Sequence, residues 1–324
     1  MTGKLAVVFG GSGFVGRNVV RELAKRGWRV RVAVRRPHLA QFLRPMGAVG
    51  QIQLKQANIR HRPSVEAALQ GADAVVNLVG VLYQDGAQSF DAVQSDGAAA
   101  VAELAKVAGA QRFVHVSAIG ADANAKADYA RTKGEGEAAV RGAFPEATIL
   151  RPSIVFGVED EFFNKFAAMA TSTPFTPLPL IGGGKTRFQP VYVDDVADAV
   201  CEALERPEAK ARIYELGGPN IYTFRELMEF MLSEIGRARL LVPLPFPIAS
   251  MIGLVGEFLG RLPFVEPPLT RDQVRLLKVD NVVNTDGSVG VLADLGVEPD
   301  SIEAVAPAYL EPYRKYGQFS ETIA

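Results

Sequence analysis

The fold is decided near the amino terminus, where Leu5-Ala-Val-Val-Phe9 leads into Gly10-Gly-Ser-Gly13-Phe-Val-Gly16 and then into a helical pattern. The apolar run predicts a buried strand, and the glycines predict a tight turn at the start of a helix. Residues without side chains let a pyrophosphate approach the backbone N–H groups of a helix amino terminus. This stretch therefore predicts a nucleotide-binding βαβ unit, although its spacing is G-x-x-G-x-x-G and not G-x-G-x-x-G.

Strand and helix patterns alternate through the first 155 residues. Strands are predicted over 4–9, 29–34, 51–56, 74–78, 112–117 and 148–151, and helices over 14–26, 63–70, 92–109 and 129–142. The alternation predicts an α/β fold with a doubly wound parallel Rossmann sheet. Helical patterns dominate the last third of the chain. We therefore expect a Rossmann domain at 1–156, with a return of the chain at about 188–218, and a smaller, mostly helical substrate- or partner-binding region at 157–324.

The end of the second predicted strand indicates which nucleotide binds. An NAD site usually carries an Asp or Glu about 20 residues past the first glycine, where it bonds the ribose 2′-hydroxyl. Here Arg35 and Arg36 occupy that place, and a guanidinium group suits a 2′-phosphate. The sequence predicts NADPH (NADP) in preference to NAD. The alternative is that both arginines are surface charges at a strand end.

Composition excludes several classes of protein. The 324 residues are 48% hydrophobic and 22% charged, which is typical of a soluble protein with a sizeable core. A single cysteine, Cys201, cannot form an internal disulfide and indicates a reducing compartment. The apolar, uncharged stretch 240–256 contains three prolines and is shorter than the roughly 20 residues of a spanning helix. Scattered histidines and arginines without interleaved aromatic residues predict no metal site and no nucleic-acid partner.

The charges are divided unevenly along the chain. Residues 1–62 contain 13 Lys and Arg but one acid, Glu22, although the net charge of the whole chain is −1. This division predicts an anion near the first part of the chain: a phosphorylated cofactor, an anionic lipid surface or an acidic partner. The alternative is that the charges lie on solvated helix faces.

Several motifs together resemble those of the short-chain dehydrogenase/reductase family, in its extended or atypical branch. Besides the glycines they are Asn58-Ile59, Asn77-Leu-Val-Gly80, Tyr129-Ala-Arg-Thr-Lys133 and Arg151-Pro-Ser-Ile-Val-Phe-Gly157. The resemblance implies a cofactor site formed by Gly10, Ser12, Gly13, Phe14, Val15, Gly16, Arg35, Arg36, Asn58, Ile59, Leu78, Val79, Gly80, Tyr129, Lys133, Pro152 and Ile154.

Tyr129 and Lys133 are the candidate catalytic pair. They stand four residues apart and so share one face of a helix. An ammonium group and the positive ring of the cofactor would lower the pKa of the phenol from about 10 and make it a proton donor near neutrality. The resemblance implies a third catalytic hydroxyl, for which Ser117 is the candidate. The extended branch usually places this hydroxyl about two residues later, at Ile119. The alternative role of the pair is to hold the ribose and nicotinamide only.

Two longer runs, 189–194 and 263–274, are similar to those of a narrower group, the nucleotide-binding accessory subunits of respiratory complex I and their bacterial relatives. This resemblance implies mainly structural NADPH and, as partners, other subunits of a membrane-bound, proton-pumping NADH:quinone oxidoreductase. It also implies a peripheral position at the cytoplasmic face of the inner membrane. The alternative is a free cytoplasmic NADP-dependent reductase or epimerase that acts on a quinone precursor or another small substrate.

An apolar stripe at helical spacing follows Pro247. Its members are Ile248, Met251, Ile252, Val255, Phe258, Leu259 and Leu262. The simplest interpretation is a helix that faces the core of the smaller region. The alternative is a helix that contacts a membrane surface or docks on a partner subunit.

Overall fold

Short strands rich in β-branched residues form the centre of the computed structural model, which describes residues 3–84, 86, 88–172, 177–259, 269–317 and 319. The strands are β1 Leu5–Phe9, β2 Arg29–Val34, β3 Ile52–Gln56, β4 Ala74–Asn77, β5 Arg112–Val116, β6 Thr148–Pro152, β7 Val155–Phe156, β8 Leu178–Ile181, β9 Arg187–Phe188, β10 Val191–Tyr192, β11 Ile213–Leu216, β12 Tyr222–Thr223, β13 Leu241–Leu244 and β14 Gly290–Val291. Eight of them form one sheet in the order β14-β11-β6-β5-β4-β1-β2-β3. Every pair in this sheet is parallel. The segment β3-β2-β1-β4-β5-β6 has the strand order of a doubly wound dinucleotide-binding sheet, so the predicted fold class is confirmed.

The helices that belong to the same unit as this sheet cover both of its faces. The α-helices are α1 Phe14–Lys25, α2 Arg62–Leu69, α3 Asp96–Val107, α4 Asp128–Ala143, α5 Phe163–Ser172, α6 Val193–Glu205, α7 Phe224–Glu234, α8 Phe246–Leu259, α9 Arg271–Leu276 and α10 Ile302–Leu310. Helices α1 and α6 pack together on one face. On the other face, α2, α3 and α4 bury a core in which Val7, Val75 and Phe113 of the sheet take part. The side chains of successive strand residues point to opposite faces of the sheet, because a strand is pleated.

The chain divides into two compact units. The first unit consists of Met1–Pro152, Val193–Leu216 and Val283–Glu298 and contains the eight-stranded sheet. The second consists of Ser153–Tyr192, Gly217–Val282 and Pro299–Ala324. In this unit α5, α7 and α10 pack around an aromatic core, and α8 packs on α9 over a separate small apolar cluster. Its described residues also form three two-stranded sheets. The sequence-based boundary lies at residue 156 and the structural one at Pro152. The return at 193–216 falls inside the predicted 188–218, and the return at 283–298 was not predicted.

Helix α8 exposes the residues that were expected to face the core. The exposed members of the predicted stripe are Ile248, Met251, Ile252 and Val255. Small residues, including Ala249 and Gly253, are the buried ones. The core-facing interpretation is therefore wrong for this part of the stripe. The side chains of Phe258 and Leu259, residue Leu262 and the first half of the 263–274 run lie outside the described residues. Within the described ranges, no helix is long and apolar enough to cross a membrane.

Candidate functional site

The glycine turn brings the backbone of β1 close to the start of α1. Gly10 has a φ of +80°, which favours glycine, and its carbonyl accepts a hydrogen bond from the N–H of Gly13 at 3.0 Å. A Cβ at Gly16 would lie 2.2 Å from the oxygen of Gly10, and one at Gly10 would lie 3.2 Å from the backbone of Leu78. These two positions therefore require glycine for packing. At Gly13, in contrast, the nearest atom to an added Cβ is 3.4 Å away.

The amino terminus of α1 is available to an anion. The helix begins after Gly13, no side chain caps it, and its first turn contains no acidic residue. Free N–H groups and the helix dipole favour a phosphate at such an end. Ser12, Phe14 and Val15 are half-buried around the turn. The backbone of the turn is bare, and Cβ atoms added at its glycines would obstruct it. The uncapped helix end and this bare backbone together fit the pyrophosphate of a dinucleotide.

The predicted specificity and adenine residues lie at the carboxyl ends of β2 and β3. Arg35 and Arg36 are exposed directly after β2, and Nη1 of Arg35 donates a hydrogen bond to Oε1 of Gln88. Asn58 is half-buried, and its Oδ1 accepts a hydrogen bond from the N–H of Arg60 at 3.1 Å. Ile59 is buried. Because β2 and β3 neighbour each other, the sheet brings these residues to the same edge as the glycine turn.

The ends of β4 and β6 supply the remaining predicted cofactor residues. Leu78 and Val79 are half-buried and Gly80 is exposed after β4. Pro152 is buried at the end of β6, where its carbonyl accepts the N–H of Ile119 at 3.0 Å. Ile154 is half-buried and belongs to the second unit. The structure thus brings together in the first unit every predicted cofactor residue except Ile154.

Tyr129 and Lys133 lie on α4, four residues apart, as predicted. The Nζ atom of Lys133 is 5.9 Å from the centre of the Tyr129 ring and donates a hydrogen bond to the carbonyl of Val116 at 3.3 Å. It also lies 3.2 Å from the position that a Cβ of Gly80 would occupy. The ring of Phe90 meets that of Tyr129 edge-on, with 6.0 Å between their centres. These contacts bring the pair to the edge of the sheet at which β4 and β5 end.

Burial dominates the protonation of both groups. It raises the pKa of Tyr129 to about 12, opposite to the direction expected from the neighbouring ammonium group. It also lowers the pKa of Lys133 to about 8, against the attraction of the Glu137 carboxylate. The charged form of each group loses hydration on burial, and this loss exceeds the effect of nearby charges. The tyrosine is therefore protonated at neutral pH.

Sequence reasoning missed a buried polar pair beside Lys133. Asn77, at the end of β4, accepts the N–H of Val79 at its Oδ1, so its Nδ2 faces Nδ1 of His115 at 3.2 Å. This orientation makes Nδ1 the acceptor and leaves the proton of the neutral ring on Nε2. Burial and the charge of Lys133 lower the pKa of His115 to about 3. The buried ring of His115 is therefore hydrogen-bonded next to the candidate catalytic pair.

Ser117 lies two residues beyond His115 and is 4% exposed. Its Oγ and Nε2 of His115 are buried and have no hydrogen-bond partner within the described ranges. Ile119, at the position of the usual family hydroxyl, has no side-chain oxygen. Ser117 stays the candidate for the third hydroxyl, with an apolar residue where the extended branch usually has one.

Comparison with known proteins agrees with this geometry. Residues 6–217 match the NAD dependent epimerase/dehydratase family. The chain belongs to this family. Its fold is similar to that of a dTDP-glucose 4,6-dehydratase from Streptomyces venezuelae, solved with NAD bound (TM-score 0.72, 19% identity, 99% of this chain and 100% of the other). An NADPH-dependent quinone oxidoreductase from Escherichia coli, solved with NADPH, is also similar (TM-score 0.71, 20% identity, 94% and 99%).

Three relatives are more similar to this chain in sequence. NADH dehydrogenase (ubiquinone) 1 alpha subcomplex subunit 9, mitochondrial, is 37% identical in Arabidopsis thaliana and 35% identical in Mus musculus. These alignments cover 100% of this chain and 82% and 84% of the two relatives. A ceramide reductase from Caulobacter vibrioides is 30% identical over 245 residues, which are 75% of this chain and 74% of the relative. The predicted resemblance to the complex I subunits is thus confirmed.

Proposed function

We propose that this chain is an NADP(H)-binding accessory subunit of a proton-pumping NADH:quinone oxidoreductase, bound peripherally at the cytoplasmic face of the inner membrane. The observation that carries the proposal is the similarity along the whole chain to relatives named as subunits of NADH dehydrogenase. The partners are then other subunits of the membrane-bound oxidoreductase.

The nucleotide in this proposal is NADPH, held mainly for structure. The exposed Arg35 and Arg36 follow β2 where an acid would bind the ribose of NAD. The glycine turn would hold the pyrophosphate, and Lys133 would donate to the ribose. Tyr129, with its pKa near 12, is a weak proton donor at neutral pH, and Ile119 supplies no hydroxyl. These features favour retention of the nucleotide over turnover.

A second candidate is an NADP-dependent reductase or epimerase that acts on a quinone precursor or another small substrate. The Tyr129 and Lys133 pair on α4 favours it, as does the similarity to the ceramide reductase. In this function the nicotinamide, when bound, would supply the hydride. Tyr129 would hold the proton for the product oxygen, and Lys133 and Ser117 would position the reacting groups. The departure at Ile119 makes this the weaker candidate.

The test is detergent extraction of native membranes followed by purification of the oxidoreductase through a tagged core subunit. We expect this chain in the purified complex at one copy per complex, with NADP(H) released on denaturation. A strain whose core subunit carries no tag serves as the control, and the eluate from its membranes should lack the chain. Absence of the chain from the intact, active complex would refute the accessory-subunit proposal. NAD as the main released nucleotide would refute the cofactor assignment only.

A further inference from the structure

Helix α8 has the reverse of the arrangement expected in a water-soluble helix. Its small residues face the protein: Ala249 is fully buried, and a Cβ at Gly253 would lie 2.8 Å from the backbone of Arg271 at the start of α9. Its large apolar side chains face outward, and Met251 is 69% exposed. An isolated soluble unit would gain free energy by burying those side chains. The described contacts instead use the small residues to bring α8 and α9 close together.

The exposed apolar side chains are concentrated in one short segment of the chain. Nineteen large apolar residues are exposed among those that the structure describes, and seven of them fall between residues 240 and 255. We call these seven the apolar face: Leu240, Val242, Ile248, Met251, Ile252, Leu254 and Val255. The segment 240–256 that contains them has no charged residue. Scattered apolar residues are normal on a monomer, but a contiguous patch marks an interaction surface.

Cationic groups border the apolar face. Arg225, Arg237 and Arg239 line a shallow cleft with Leu240 and Leu241. The cleft has one acidic residue, Glu229, which pairs with Arg225 at 3.4 Å and leaves an excess of positive charge there. Nε of Arg237 is buried and has no hydrogen-bond partner in the described part of the chain. Near the first turn of α8, Nζ of Lys278 lies 5.4 Å from the centre of the Phe246 ring. Residues 237–278 contain six Lys and Arg but three acids, in a chain whose net charge is −1.

We propose that the apolar face docks directly on the surface of a lipid bilayer that contains anionic headgroups. The uncharged side chains of α8 would enter the boundary between headgroups and acyl chains. The bordering arginines and lysine would meet lipid phosphates, as at other interfacial helices. An apolar groove on a partner protein would be complementary only to the apolar side chains of α8. An anionic bilayer is complementary both to these side chains and to the cationic groups that border them. This inference adds to the peripheral position proposed above, but it requires no other subunit.

The test uses purified full-length protein and flotation with vesicles of phosphatidylcholine, with or without phosphatidylglycerol. We expect the wild type to float with the vesicles that contain phosphatidylglycerol. Met251→Glu should lower the partition coefficient about tenfold or more, because a carboxylate replaces an inserted apolar group. Arg225→Gln and Arg237→Gln should each lower it by about fivefold on the anionic vesicles only. Val49→Glu is the matched control, because Val49 is fully exposed in the first unit.

Circular dichroism and thermal unfolding of each variant show whether it is folded, so that a loss of binding is not a loss of structure. The proposal is overturned if the wild type floats with neither vesicle, or if Met251→Glu floats as well as the wild type. Self-association that Met251→Glu abolishes, without vesicle binding, would assign the face to a second copy and also overturn it. A protein that copurifies with the oxidoreductase but binds no vesicle would leave the accessory-subunit proposal intact, so the two failures are distinguishable.

Discussion

Replacement of Lys133 by methionine should stabilise the protein at neutral pH but not at high pH. The side chain is 5% exposed, and burial lowers its pKa to about 8. An unfolded lysine titrates at about 10.4, so at roughly 1.4 kcal/mol per pKa unit the buried charge costs about 3 kcal/mol at pH 7. Between pH 8 and about 10.4 the unfolded chain binds more protons than the folded one. The contribution of Lys133 to the free energy of unfolding therefore increases with pH across this window.

Methionine removes the charge and also the hydrogen bond to Val116, which is worth about 1 kcal/mol. We expect Lys133→Met to be about 2 kcal/mol more stable than the wild type at pH 7 and slightly less stable at about pH 10.5. Urea unfolding without added nucleotide measures the difference, and comparison of the two proteins at each pH cancels the titration of all other groups. Lys185→Met, at an exposed lysine, should show no such dependence on pH. A difference between wild type and Lys133→Met that is the same at both pH values would show that Lys133 is not desolvated.

Four further substitutions test the nucleotide site. Gly16→Ala should abolish nucleotide binding and lower the melting temperature, because its Cβ would lie 2.2 Å from the Gly10 oxygen, whereas Gly13→Ala should be tolerated. Arg35→Asp should weaken NADPH binding by about 1.5–3 kcal/mol, which is roughly 10- to 150-fold in a fluorescence titration, with little change for NADH. An equal loss for both nucleotides would contradict the 2′-phosphate contact. Tyr129→Phe should leave NADPH affinity and the NADH:quinone rate of the assembled complex nearly unchanged. A lost rate in an intact complex would favour the catalytic candidate.

Six strands of the central sheet, β1 to β6, could be predicted from the sequence because they are short and rich in apolar, β-branched residues, whereas β11 and β14 were not predicted. The predicted limits of β2 are those of the structure, and the limits of β1 and β4 differ by one residue. The π-helical turn Asp91–Ser95 before α3 was not predicted. It is associated with tertiary contacts: Gln94 is buried, and its side chain donates to the carbonyl of Val81 at 2.8 Å. Local periodicity contains no information on such contacts.

The candidate site was predictable where spacing alone determines geometry. Residues four apart on a helix share a face, so the pairing of Tyr129 with Lys133 followed from the sequence. The direction of the pKa shift of Tyr129 did not, because it depends on how much of the phenol the folded chain removes from water. The pair of Asn77 and His115 depends on the register of β4 against β5, in which these two residues are opposite each other. A polar residue in each of two apolar strands was the available signal.

The same desolvation explains why a site can retain the family's residues and yet favour a structural nucleotide. A general acid is most effective when its pKa is near the working pH. A phenol with a pKa of about 12 is some five units from neutrality, and each unit corresponds to about 1.4 kcal/mol. The groups that would hold the pyrophosphate are not affected by such a shift, because the backbone N–H groups at Gly10–Gly16 do not titrate. Burial around α4 can therefore weaken proton transfer while nucleotide binding persists, which is the combination that the accessory-subunit proposal requires.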